Sequence, residues 1–89
     1  MSIDRFQDTL DSAALAARAP YAVTPNDVAP LPVIPKALYV GTVGHVMVRG
    51  IDGSEDVLFR NVASGQILDV RARFVRATGT TASDIVALA

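Results

Sequence analysis

The sequence predicts a mainly β protein: a small antiparallel β-sandwich or partly open barrel, with an extended N-terminal arm that includes a short helix. Three observations predict it. All five prolines lie between Pro20 and Pro35 and all six glycines between Gly41 and Gly79, so a proline-rich connector precedes a glycine-punctuated body. In that body, short runs of alternating apolar and polar residues are separated by turn signals about every 8–12 residues. Apolar residues make up 51% of the chain and charged residues 19%, which is too greasy for a disordered chain. Eighty-nine residues make one domain, with residues 1–36 as the arm and residues 37–89 as the β body.

At the N-terminus, Phe6, Leu10, Ala13, Ala14 and Ala17 fall at helical spacing. Asp11 or Ser12 caps a short helix that runs to Ala19, where Pro20 stops it. A helix this short needs a surface to lie on. The connector, residues 20–36, reads PYAVTPNDVAPLPVIPK. Its prolines hold it extended. Tyr21, Val23, Leu31, Val33 and Ile34 make it too apolar for a solvated spacer, so these five are candidate contact residues of an arm laid against protein. The PxxP spacing of Pro32 and Pro35 is too common a pattern to identify a peptide ligand.

The body divides into five strands. Residues 37–40 form the first, and Gly41 to Gly44 its hairpin turn. Residues 45–49 form the second, with Asp52-Gly53 as the signal for the next hairpin. Residues 56–62 form the third, and Ala63 to Gly65 a turn. Residues 67–78 form one long fourth strand, and residues 84–88 the fifth. In the fourth strand Leu68, Val70, Ala72 and Phe74 share one face, and Asp69, Arg71 and Arg73 the other. The first and fifth strands are apolar on both faces, as central or partner-covered strands are.

The composition excludes several chemistries. There is no cysteine and one histidine, so disulfides, thiol catalysis and cysteine or multi-histidine metal sites are ruled out. A net charge of −1 leaves no basic footprint for nucleic acid. No apolar run reaches the ~18 residues of a membrane span, and the opening residues do not read as a signal peptide, so synthesis in the cytoplasm is expected. The GTVG and GTT stretches match neither phosphate-loop spacing. His45, beside the glycine turn, has no serine or acid arranged around it and reads as a strand-surface histidine. No catalytic residue, cofactor or metal site is expected.

Two charged groups remain. Asp52, Glu55 and Asp56 cluster on a turn without the spacing of a calcium loop. Arg71 and Arg73 line one face of the fourth strand. Arginine suits interfaces because its planar donors pair with carboxylates. Arg71 and Arg73 are therefore candidate interface residues, with Asp52, Glu55 and Asp56 of a neighbour as acceptors. The plainer alternative is pairing within one chain.

Several segments together resemble one family. These are LYVG at 38–41, the V-x-F-x-x-V-x-x-G pattern at 57–65, the valine- and arginine-rich stretch at 68–76, ATGTT at 77–81 and IVAL at 85–88. Upstream, Val23-Thr24-Pro25-Asn26-Asp27 is similar to the same family's T-P-x-D element. They resemble the spike base proteins of alphaproteobacterial gene transfer agents and related tailed phages, over residues 20–89. The sequence departs from that family at Ala63-Ser64 and at Asp69, where proline is frequent, and at Ala89, where tyrosine is common. The resemblance implies a structural virion protein without catalysis, located in the particle head. It would form the base of a capsid head spike at five-fold vertices, anchoring a spike or fibre that meets the host surface. The implied partners are further copies of itself in a ring, expected to be a pentamer, the major capsid protein, and the spike or fibre protein. A head decoration or cement protein is the alternative, and a small-ligand module resting on His45 and the arginines a distant third.

Overall fold

A computed structural model describes residues 16–89 and builds them from seven strands, with no helix among the described residues. They are β1 (Tyr21–Val23), β2 (Ala37–Thr42), β3 (Gly44–Gly50), β4 (Val57–Val62), β5 (Gln66–Leu68), β6 (Ala72–Arg76) and β7 (Ser83–Leu88). They form two antiparallel sheets, one ordered β1-β7-β2-β5 and the other β4-β3-β6. The fold is a β-sandwich. The expected N-terminal helix lies largely outside the described residues, and its last stretch, residues 16–19, is not helical.

The core comes from strand alternation. Leu38, Val40, Ile85 and Ala87 point inward from the first sheet and Val46, Val48 and Val75 from the second, all nearly or fully buried. Among the described residues no aromatic ring is fully buried; Tyr21 and Phe59 pack at the margin. β7 and β2 occupy the two central positions of their sheet, in keeping with their apolar residues on both faces.

Two expected elements are corrected. The turn at Gly41 to Gly44 is not a hairpin: β2 and β3 belong to different sheets, and Val43 alone separates them. The two glycines are needed because this corner crosses the start of β7. A Cβ on Gly41 would lie 2.6 Å from the Asp84 carbonyl oxygen, and one on Gly44 would lie 2.5 Å from the Ala82 nitrogen.

The single strand over 67–78 is also not formed. It breaks into β5 and β6 on opposite sheets, joined by a corner in which the Val70 N–H donates to the Leu68 carbonyl (2.9 Å) and the Ile51 N–H to the Arg71 carbonyl (2.9 Å). Arg71 thus lies before β6, so it and Arg73 do not share the face of one strand. The pairing of β6 with β3 then slips, from Arg49↔Phe74 to Gly50↔Ala72, which places a bulge at Arg73. The extra residue reverses the alternation. Ala72 and Val75 both face the core, and Phe74 turns outward instead of sharing the face of Ala72.

The proline segment closes one side of the sandwich. β1 adds to β7 at the sheet edge, and the chain then crosses to the other sheet. There the Asn26 N–H donates to the Val75 carbonyl (2.9 Å) and the Leu31 N–H to the Arg73 carbonyl (2.8 Å), covering the free edge of β6. Among the described residues, the opposite side stays open. The Met47 N–H turns away from β4, to Thr80 Oγ1 (2.9 Å), so Val46 and Val48 direct their backbone groups to Phe59 and Val57. The backbone groups of Leu58 therefore face outward, unpaired by β3.

Candidate assembly surface

The two outward faces of the sandwich differ in chemistry. On the β4-β3-β6 sheet the outward residues are Met47, Leu58, Arg49, Phe74 and Arg76, by register. The Arg76 guanidinium lies 3.9 Å from the Phe74 ring centroid and that of Arg49 5.8 Å. Asp56 joins the two arginines, its Oδ1 accepting from each Nε at 3.2 Å. These groups are partly solvated, so each pair contributes at most about 1 kcal/mol. Their effect is to hold the β3–β4 loop against β6.

The outward face of the other sheet carries two apolar rows beside the exposed Asp84. Ala22, Val86, Tyr39 and Ile67 form one row across all four strands, and Ala37 pairs with Leu88 in the next row. Neither row contains a charged residue. Outward faces of sandwiches normally alternate to polar residues, and these two rows do not.

The structure places the sequence-predicted residues unevenly. Asp56 is engaged by Arg49 and Arg76 of its own chain. Asp52 and Glu55 are exposed on the β3–β4 loop. The side chains of Asp52, Glu55, Arg71 and Arg73 have no partner among the described residues. Of the connector residues, Val23 is buried in the chain's own core, and Leu31 packs against it. Tyr21 is half-buried and donates its hydroxyl hydrogen to the Val33 carbonyl, and burial raises its pKa. Ile34 is half-buried and Val33 exposed. A cleft of about 240 Å³ remains between β1 and the proline segment, lined in part by Tyr21, Asn26, Leu31 and Val75. No carboxylate or histidine lines it.

Sequence reasoning missed a clamp. Asp27 Oδ1 accepts from the Thr78 N–H (2.8 Å) and Oδ2 from the Thr78 hydroxyl (2.8 Å), while Arg76 Nη1 donates to the Asp27 carbonyl (2.7 Å). The Thr78 hydrogen bonds hold the Asp27 carboxyl below its usual pKa. Thr80 and Thr81 of the same loop accept from the backbone N–H groups of Met47 and His45 (2.9 and 2.8 Å). His45 Nδ1 in turn accepts from the Asn61 N–H (3.0 Å), beside a bulge at which Asn61 takes φ 55°. The T-P-x-D and ATGTT segments are thus the two halves of one fastening. Both were visible as motifs, but nothing local signals a contact across 51 residues.

Among the described residues no cluster of histidine and carboxylate groups could hold a metal ion, and no helix is long and apolar enough to cross a membrane. No protein-family model matches the chain, and no curated protein does. A solved structure does: a chain of the "Capsid of native GTA particle computed with C5 symmetry", where GTA denotes gene transfer agent. It is 36% identical, with a TM-score of 0.80, over 96% of this chain and 98% of that one. A β-sandwich matched at that identity and coverage defines a structural capsid-associated protein of a phage-like particle. The chain belongs to the family of that gene transfer agent capsid protein.

Proposed function

We propose that the chain is the base of the capsid head spike, assembled as a ring at five-fold vertices and anchoring a spike or fibre that contacts the host surface. The observation that carries this reading is the likeness to a chain of a gene transfer agent capsid computed with C5 symmetry. The spike-base motifs over residues 20–89 support the same reading. A ring needs heterologous contacts. Arg71 and Arg73, unpaired within the described residues, are proposed to meet Asp52 and Glu55 of the next copy, and exposed Val33 to contribute at the edge of that contact. Asp56 is already held in its own chain and serves to shape the acidic loop.

Imaging of intact particles that carry a tagged copy of the chain tests the proposal. Density for the tag at five-fold vertices alone is the expected result. Density spread over the capsid faces would replace the spike-base reading with that of a head decoration or cement protein.

A further inference from the structure

We infer that the open edge of β4 docks the β4 of a second copy, the two strands pairing antiparallel about a two-fold axis at Leu58. This goes beyond the ring reading and does not depend on it. The edge is free because β3 takes the backbone groups of Val57 and Phe59, so those of Leu58 and Arg60 point away from the sandwich. Neither residue has a hydrogen bond to another segment among the described residues.

The occupant follows from the order of residues along the strand. With Leu58 opposite its own counterpart, Asp56 faces Arg60 of the second copy and Val57 faces Phe59. The backbone phase agrees. Asp56, Leu58 and Arg60 direct their N–H and C=O groups outward, so each meets a residue that does the same, and Val57 and Phe59 fall in the pairs without hydrogen bonds. The side chains agree as well. Asp56, Leu58 and Arg60 share the outward face of the sheet. Arg60 is exposed and its guanidinium has no partner among the described residues. Asp56, held by Arg49 and Arg76, keeps 32% of its side chain in solvent. An arginine from the second copy meets that solvated side at both ends of the pair. On the inner face Val57, 55% exposed in the single chain, gains the Phe59 ring as its cross-strand neighbour. Sliding the second strand by two residues keeps the backbone phase but loses the charge match, because Arg60 then stands opposite Leu58 or Ser54.

Charged residues on an edge ordinarily repel a second strand. Here the two charges have opposite sign and lie equally far on either side of Leu58, so they select a copy of this chain in one register. The bulge at Asn61, with φ 55°, stops the pairing beyond Arg60. The contact is isologous and closes at two copies.

The chain has no cysteine, so a single introduced one can link only to a second copy. In the pair the two Leu58 Cα atoms lie about 5.5 Å apart, inside the roughly 4.4–6.8 Å range of disulfides. Full-length Leu58→Cys is oxidised beside Val28→Cys, whose site is 83% exposed and lies in the connector at the opposite edge of the sheet. Linked pairs that form at least tenfold faster from Leu58→Cys are the expected result, although its site is less exposed. Adding Arg60→Glu, which sets like charges opposite each other, should cut that rate at least tenfold with an unchanged circular dichroism spectrum. A Leu58→Cys rate no higher than that of Val28→Cys overturns the inference. A fast rate that Arg60→Glu leaves unchanged also overturns it, because charge then does not select the contact. Neither variant touches Arg71 or Arg73, so the ring is read separately, by sedimentation in reductant. Fast linking without a ring leaves the pairing standing, and an intact ring with slow linking removes the pairing alone.

Discussion

Asp27 shows how one exposed carboxylate can govern a long segment. It fastens the proline connector to Thr78, and its pKa is held below the ordinary value of about 3.9 by the Thr78 hydrogen bonds. A depressed carboxyl pKa stabilises the fold above the unfolded value, and that contribution is lost as pH falls through the folded value. Amide protection at Asn26 and Leu31 is therefore expected to fall below about pH 4 while the protection of β2 and β7 persists. Asp27→Asn keeps an acceptor for the Thr78 N–H but removes the charge, so protection in this variant should lose that pH dependence. The glycines of the β2–β3 corner make a second residue-scale case. In Gly44→Ala the new methyl would meet Ala82 backbone atoms at 2.5–2.6 Å, which cannot yield without moving β7. A loss of about 1–3 kcal/mol in urea denaturation is expected. Gly53→Ala, whose nearest neighbour would be 3.4 Å away, should change stability by less than about 1 kcal/mol.

At the scale of elements, the connector acts as a seal. Leu31 packs against the core and its N–H ties to Arg73, so Leu31→Ala should lower stability by about 1–2 kcal/mol. Strand content by circular dichroism should stay unchanged, because no ladder includes Leu31. The elements also differ in how far sequence alone revealed them. β3 and β4 were legible because each carries a local alternation bounded by glycine or polar turn residues, and β7 because its short apolar run follows a polar loop. The Asp52-Gly53 signal correctly joined β3 to β4. The β5–β6 corner was hidden because Leu68, Val70 and Ala72 keep their two-residue rhythm straight through it. The one sign of a break was Asp69, which stands where proline is frequent in the resembling family, and proline does not sit inside a central strand. The bulge at Arg73 left no mark at all, and so Phe74 was assigned to the wrong face. β1 was masked by flanking prolines, which argued for extended chain but not for pairing. Of the candidate contact residues, the acidic loop and the arginines were legible by type. Whether each is engaged depends on long-range packing, which places Asp56 between Arg49 and Arg76 and buries Val23.

For the whole molecule, the ring reading makes a signed prediction about salt. If Arg73 meets acids of the next copy, raising ionic strength weakens the wild-type ring in sedimentation velocity. In Arg73→Glu the contact becomes repulsive, so the ring is weakest at low salt and partly recovers as salt is added. Salt-independent assembly of both proteins would leave apolar contact as the sole bond between copies. The closed and open sides of the sandwich have a further consequence, best put in the language of polymer chemistry. A monomer must carry two reactive ends to grow a chain. The β4-β3-β6 sheet has one, at Leu58, because residues 26–31 have capped the other at Val75 and Arg73. The connector's prolines offer no N–H groups to restart growth beyond the cap. Through this sheet the described residues are monofunctional: a strand added at β4 ends the reaction, and no fibril propagates along it.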